Sequence, residues 1–523
     1  MKIENIVIVG GGSSGWMTAT TLLSCYPNLN ITLVESPDIA TVGVGESTIG
    51  SFNNWKYLSG IKDDSFMPHC DATYKLSIAF ENWWHKDDNF RFFYPFTNSR
   101  NDQLDERNTR LWELKKAAYP DTPWTDYALC CSPTMALVNN NRIGESEIGL
   151  PDWDLDYTAA YHFDATKLAL WLKEYHCLPN GLTHRLGNVM DAKVGEDGIE
   201  FLILDDNEQL SADLYIDCTG FRSILLDMVM GIPFNSLRDI IPNDYAWATK
   251  IPYENPEEQI TTYTNNTAID NGWVWEIPLQ HRMGSGYVYS SSFISHDNAL
   301  LEFQAHLKSK GYKDVEKLDY KHIKMRVGHH EKFFHKNVVG VGLSAAFIEP
   351  LESNGLMTVH LLLQYLVNAM DRNDGTIHIT ETDRKNFNEQ TLLEFMGFAD
   401  FVAMHYAWSH RDDTDYWKSV SNNPNSPEDI YEKASSRDFI RGAGGRYIRK
   451  GFGYCDVTPH GFKLRDIDSP EEILKCSDEE GLQFREAIES LNKDKYIWDS
   501  IAKTQPNPYQ FLKQKGLLRN ETD

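Results

Sequence analysis

Six residues near the start, Gly10-Gly11-Gly12-Ser13-Ser14-Gly15, limit what this chain can fold into more than any other segment. They follow Ile3–Val9, a near-continuous apolar run of the kind a parallel strand shows when both its faces are covered. They precede Trp16–Cys25, which reads as a helix ending before Pro27, and then Ile31–Glu35, a second short strand. A β-α-β unit of about 35 residues with glycines at its first turn is an arrangement that binds a dinucleotide. Gly10 permits the tight turn, Gly12 lets backbone approach the pyrophosphate, and Gly15 lets the helix pack on the strand. The helix start supplies unpaired N–H groups to the phosphates. Glu35 ends the second strand, where an acid accepts hydrogen bonds from a ribose.

Two later segments favour FAD over NAD. Gly43-Val44-Gly45-Glu46-Ser47-Thr48 reads as a second flexible loop close behind Glu35, and Asp217-Cys218-Thr219-Gly220 is typical of the later strand in two-domain flavoproteins. No second complete GxGxxG accompanies a strand; Gly442–Gly445 comes nearest and reads as a surface loop. Leu214–Gly220 reads as strand then turn, and Val338–Gly342 as a strand leading through Pro350 into a helix over Leu356–Met370. The expected fold is therefore α/β: an FAD-binding, Rossmann-like domain, discontinuous within residues 1–370. A substrate-cavity sheet is inserted at about 70–130 and 235–325. The aromatic and β-branched stretch 245–300 predicts that this inserted sheet is antiparallel. Residues 371–523 read as a mainly helical, substrate-side region with a polar break at Ser421–Pro427.

With 523 residues, 41% of them hydrophobic, the chain has material for a large core. A formal net charge of -26 repels phosphate backbones and anionic lipid, which argues against nucleic-acid or membrane-surface partners. No apolar run approaches the roughly 20 residues needed to span a bilayer. The start enters a strand directly, leaving no room for a cleavable signal. Eight cysteines without CxxC spacing, Cys130 and Cys131 adjacent, read as buried thiols of a cytoplasmic protein rather than a disulfide framework.

Several further motifs align with one family. They are Gly10–Gly15, Gly43–Thr48, Asp71-Ala72-Thr73-Tyr74-Lys75, Trp273-Val274-Trp275-Glu276-Ile277-Pro278, Glu349-Pro350-Leu351-Glu352-Ser353-Asn354-Gly355, and Arg411-Asp412-Asp413-Thr414 with Trp417. Over most of residues 1–420 the chain resembles the flavin-dependent halogenases of the tryptophan-halogenase family. That resemblance implies reduced FAD delivered by a separate NAD(P)H-dependent flavin reductase, and halide oxidised to hypohalous acid at the flavin. The acid then passes through a tunnel to Lys75 for electrophilic halogenation of an indole or other electron-rich aromatic. It implies cofactor contacts from Gly10, Gly11, Gly12, Ser13, Ser14, Gly15, Glu35, Ser36, Gly45, Glu46, Ser47, Val189, Gly220, Leu343 and Leu356. It implies halide held by Ser353, Asn354 and Gly355, and a substrate and tunnel wall of Tyr94, Phe96, Trp273, Trp275, Ile277 and Pro278. A homodimer is allowed.

Local physics bears on these roles. Tyr74, Leu76, Ile78 and Phe80 alternate with Lys75, Ser77 and Ala79, so the segment reads as one strand whose lysine face is otherwise small. That face suits a cavity or, equally by alternation alone, solvent. In a cavity an ammonium could hydrogen-bond hypohalous acid, whereas desolvation would favour a neutral amine and a haloamine. Glu352 could stabilise the arenium cation or take its proton, and also complement the dipole of the following helix. Backbone amides at Asn354 and Gly355 suit a small anion; the family usually has Thr where this chain has Asn354. Trp273 and Trp275 share one strand face, and their bulk closes the path between flavin and substrate. Tyr94-Pro95-Phe96 stands where tryptophan-specific members often have His-Pro-Phe, so free tryptophan is one option beside a small indole, a phenol or a larger aromatic. His329, His330 and His335 lack metal-ligand spacing. The rival functions are a single-component flavin aromatic hydroxylase and a non-catalytic flavin-binding protein.

Overall fold

The computed structural model describes residues 1–38, 46–86, 91–96, 108, 111–112, 114–116, 118–123, 125–370, 376–425 and 479–519. The opening unit forms: strand Asn5–Val9 pairs in parallel with Asn30–Glu35, and helix Ser13–Cys25 connects them. Leu214–Asp217 pairs on the other side of Asn5–Val9, and Val338–Gly340 beyond it. The six-stranded order is Phe334–His335, Val338–Gly340, Leu214–Asp217, Asn5–Val9, Asn30–Glu35, Thr183–Leu186, with only the Phe334–His335 edge antiparallel. Ile8, Leu33, Leu214 and Ile216 are wholly buried in its centre, the physical reason these strands read as unbroken apolar runs.

A seven-stranded sheet runs Tyr320–Lys324, Tyr245–Pro252, Arg282–Tyr289, Gly272–Pro278, Tyr263–Ile269, Ser77–Glu81, Arg91–Pro95. It is antiparallel apart from the parallel pair Tyr263–Ile269 with Ser77–Glu81. A third, small sheet holds Glu46–Ser47, Ala160–Phe163 and Thr73–Lys75. Residues 73–81 are thus not one strand. The chain changes sheets at Leu76, whose N–H donates to the Thr262 carbonyl at 2.7 Å. Alternation reports a strand's own faces and says nothing of its partners, and here each half finds a different one. Both faces are covered, so Lys75 never meets solvent.

Two helices complete the centre: Asn354–Met370, beginning two residues before the expected Leu356, and Glu381–Ala407 packed against it. The longer one is started by a capping box between Thr380 and Asp383. Asp415–Ser421, Glu479–Lys503 and Pro508–Gln514 are also helical. Phe511 meets Tyr74 edge-on at 5.9 Å, and Gln280 ties down the following turn, donating to the Leu517 carbonyl (2.8 Å) and accepting from the Arg519 N–H (2.7 Å). The last helix therefore braces the strand that carries Lys75. Cys130, Cys131 and the other four described cysteines are free thiols. No helix among the described residues is long and apolar enough to cross a membrane.

Candidate active site

The glycines of the first turn do different work. A Cβ at Gly10 (φ 116°) would lie 2.3 Å from the Cys218 carbonyl oxygen, and one at Gly15 would lie 1.9 Å from that of Gly10. These two let strand and helix close on each other. Gly12 caps the helix without a side-chain hydrogen bond, and a Cβ there would meet nothing within 4 Å. Gly220, at φ 64° in the turn after Leu214–Asp217, also faces open space. Unpaired N–H groups beside open volume are what a pyrophosphate requires, so the residues present fit FAD.

The remaining cofactor candidates are placed around this turn. Ser13 Oγ donates to the Ala165 carbonyl at 3.3 Å, and Ser14 faces Gly342 in the turn Gly342–Ser344 that carries Leu343. Glu35 Oε1 accepts from Lys173 Nζ at 2.9 Å and lies 2.8 Å from His184 Nε2, while its Oε2 occupies the space a Gly11 side chain would need. The acid read as a ribose acceptor is therefore already held in place by partners with no sequence signature. Ser36 Oγ accepts from the Asp38 N–H at 3.2 Å, and Val189 opens the strand Val189–Gly195 against the cluster of Val7 and Val34. Leu356 is buried near the start of helix Asn354–Met370. Gly45 lies outside the described residues; Glu46 and Ser47, read as loop, form a short strand instead. Burial and the charge of Asp164 push the Glu46 carboxyl up to about 7.

Lys75 is wholly buried. Its Nζ donates to the Thr48 carbonyl at 3.0 Å and to Ser353 Oγ at 2.8 Å, and sits 5.0 Å from the centre of the Phe96 ring. Burial pulls its ammonium down to about 7, against the opposing field of Glu352. Ser353 also donates to Ser47 Oγ at 3.1 Å, so one candidate each for cofactor, halide and catalysis touch in sequence. Tyr94, half-buried, stands edge-on to Phe96 at 5.7 Å, and burial followed by the Glu352 charge raises its hydroxyl.

Glu352 sits in a short turn before Ser353, whose left-handed backbone (φ 56°) redirects the chain into helix Asn354–Met370. His405, from helix Glu381–Ala407, brings Nε2 to 2.7 Å from Glu352 Oε1, both side chains buried. His405 Nδ1 is 2.9 Å from the Phe401 carbonyl and must donate to it, which turns Nε2 toward the Glu352 side. At the helix start Asn354 is buried with Nδ2 donating to the Glu349 carbonyl at 3.1 Å, and Gly355 has open space where a Cβ would stand. That is room for a small anion against free N–H groups.

Trp273 and Trp275 lie on one face with ring centres 6.1 Å apart. Trp273 Nε1 donates to Glu349 Oε1 at 3.2 Å; Trp275 packs over Gly286. Ile277 is buried, and the Pro278 carbonyl accepts from Thr73 Oγ1 at 2.7 Å. Glu349 also accepts from Asn243 Nδ2 (2.6 Å) and from the Tyr406 hydroxyl, and burial brings its carboxyl up to about 7. Arg411 grips Asp413 through two hydrogen bonds of 2.9 and 2.8 Å and lies 4.5 Å above the Trp417 ring, a brace rather than a reacting group. His330 is tied to Ser223 and to the Ile232 carbonyl, and His329 stacks on Phe333. His335 sits in the edge strand of the six-stranded sheet. No group of three or more metal-ligating side chains occurs among the described residues. Sequence reading missed His405 and Lys173 and named Glu349 only as part of a motif, because each acquires its role from a partner distant in the chain.

Known proteins resemble this chain over most of its length. The family profile described as tryptophan halogenase matches residues 5–445. A tryptophan 6-halogenase, SttH of Streptomyces toxytricini, is 32% identical over 434 residues, covering 80% of this chain and 80% of its own. Among solved structures, the VirX1 apo structure superposes with a TM-score of 0.87 at 37% identity, covering 98% of this chain and 99% of that one. BrvH, a flavin-dependent halogenase from Brevundimonas sp. BAL3, gives 0.82 at 27% identity, with 99% of each chain covered.

Proposed function

The chain belongs to the tryptophan halogenase family, and from that premise we propose that it halogenates an indole or similar electron-rich ring with Lys75 and Glu352 as the catalytic pair. It is a flavin-dependent halogenase served by a separate flavin reductase. Reduced FAD with oxygen supplies, when bound, the oxidation of halide to hypohalous acid. The N–H groups around Gly12 and Gly220 would hold the cofactor, and those of Asn354 and Gly355 the halide.

The single observation carrying the assignment is the buried Lys75 amine between Ser353, the Thr48 carbonyl and the Phe96 ring. With its pKa brought to about 7, a neutral amine is available near neutral pH. Its lone pair attacks the halogen of hypohalous acid; the N–halogen bond forms and water leaves with one amine proton. The substrate ring then attacks the halogen, the N–halogen electron pair returns to nitrogen, and the ring carbon loses its proton to Glu352. Glu352 then passes that proton to the amine nitrogen, closing the cycle. An ammonium that merely hydrogen-bonds hypohalous acid predicts the opposite pH dependence. Turnover rising through about pH 7 supports the neutral route, and turnover falling there supports the ammonium.

Phe96 and Tyr94 supply the aromatic wall for the substrate, and Tyr94, where tryptophan-specific members often have histidine, turns the preference away from free tryptophan alone. Trp273 and Trp275 keep the oxidised halogen from escaping. Incubation with reduced FAD, oxygen, bromide and indole tests the reading. Brominated indole supports it; hydroxyindole would establish the hydroxylase, and no turnover a binding protein.

A further inference from the structure

The small sheet sets polar side chains in a row. In its register Ser47 and Thr73 are both cross-strand partners of His162, and Lys75 lies two residues beyond Thr73 on the same face. These residues, Thr264 of the adjoining wide sheet and Ser353 are all buried. Their polar atoms join end to end. Lys75 Nζ meets Ser353 Oγ at 2.8 Å, Ser353 Oγ meets Ser47 Oγ at 3.1 Å, and Ser47 Oγ meets Thr264 Oγ1 at 2.8 Å. Thr264 Oγ1 meets His162 Nε2 at 2.9 Å, His162 Nδ1 meets Thr73 Oγ1 at 3.1 Å, and Thr73 Oγ1 meets the Pro278 carbonyl at 2.7 Å.

The last link fixes the direction of all the others. A carbonyl only accepts, so the single Thr73 hydroxyl proton goes to Pro278. Thr73 must then accept from His162, whose Nδ1 carries the ring proton. Burial first, and the nearby Lys75 charge second, hold the imidazolium form far below its ordinary range, so Nε2 is a bare acceptor. Thr264 therefore donates to His162, Ser47 to Thr264 and Ser353 to Ser47, which leaves Ser353 turning a lone pair toward Lys75. A neutral Lys75 spends both N–H groups, on Thr48 and Ser353, and its own lone pair is left over for the side of the Phe96 ring.

We propose that His162 is a positioning residue for Lys75, anchoring a one-way hydrogen-bond chain through Thr264, Ser47 and Ser353 that keeps the amine's lone pair aimed at the aromatic wall. Without the anchor the chain can reverse, and Ser353 then donates into that lone pair and blocks it. The titratable groups facing Lys75 are Glu352, from the turn before helix Asn354–Met370, and His162 itself; His405 stands behind Glu352. The inference rests on Lys75 meeting the oxidised halogen.

Three variants test it. His162→Gln carries an amide oxygen to the place of Nε2 and preserves the acceptor. His162→Asn keeps a donor for Thr73 but stops short of Thr264. Thr264→Val cuts the chain without touching the ring. Each is read twice: by kcat and KM for indole bromination across pH, and by the pH midpoint of Lys75 reductive methylation with formaldehyde and a borane reductant, followed by peptide mass without flavin. His162→Asn and Thr264→Val are expected to lower kcat at least about tenfold at unchanged KM. They are also expected to move the methylation midpoint down by about half a pH unit or more, since a donating Ser353 favours the neutral amine. His162→Gln should stay near the parent in both. Unchanged midpoints in His162→Asn and Thr264→Val would overturn the proposal, with or without loss of kcat. So would a His162→Gln variant as impaired as His162→Asn. Because methylation needs no turnover, it judges the chain even if halogenation itself fails.

Discussion

His405 Nε2 stands 2.7 Å from Glu352 Oε1 where neither side chain reaches water, although 53 positions separate them in sequence (405 less 352). The contact sets an imidazole edge directly against the carboxylate. In the proposed reaction Oε2 is the oxygen that would take the proton lost by the substrate ring.

Replacing that carboxylate removes the acceptor while keeping the shape. Glu352→Gln should lower kcat by about 10²- to 10³-fold with FAD affinity unchanged, in the range typical of a general base. Single-turnover halogenation with pre-reduced FAD measures it, and full activity in Glu352→Gln would refute the role.

Lys75 links activity to stability with a definite sign. Its folded pKa, about 7, lies below the ordinary 10.5, so between these values the unfolded chain binds more protons and stability rises with pH. The cost of burying the amine is complete below about pH 7, on the order of 5 kcal/mol at pH 6 against about 2 kcal/mol at pH 9. Lys75→Met should abolish product, keep FAD binding, and stabilise the fold more at pH 6 than at pH 9. Urea unfolding at both pH values checks this; an equal effect at both would mean the amine is not desolvated.

The glycines of the first turn separate folding from binding. Gly12→Val, projecting into open space, should keep the parent melting temperature yet weaken FAD binding at least about tenfold. Gly10→Ala drives a Cβ into the Cys218 carbonyl from a left-handed backbone and should lower the melting temperature itself. Calorimetry and flavin fluorescence titration distinguish the two. A Gly12→Val protein with normal FAD affinity would remove the pyrophosphate from this turn.

Asn354 is the one halide candidate that differs from the family's usual residue. Its amide is tied to the Glu349 carbonyl above the helix start, so Asn354→Thr shortens the side chain beside the proposed anion. The ratio of bromide to chloride incorporation in direct competition should change by about threefold or more while FAD affinity holds. An unaltered ratio would place halide selection elsewhere.

The nucleotide end was legible because its signals are local. Strand, glycine turn, helix and acid succeed one another within a single β-α-β unit, and steric demands at Gly10 and Gly15 are written in residue type. The Trp273–Trp275 pair was legible for the same reason: two residues apart on a strand must share a face. Lys75 was legible only as a motif. Alternation through residues 74–80 described one strand with an ambiguous face, whereas the chain crosses between two sheets at Leu76 and is covered on both sides.

By itself, then, the sequence determined which short segments could form, and that the first of them has the strand, glycine turn and helix of a dinucleotide-binding unit, since turn sterics and apolar periodicity act over neighbouring residues. Tertiary structure alone decided that Lys75 is dry, that Glu352 has a histidine beside it, and that His162 closes a chain of hydroxyl groups ending at the amine. Protonation and hydrogen-bond direction depend on what surrounds a group in space, and the partners that matter here come from strands and helices far apart along the chain.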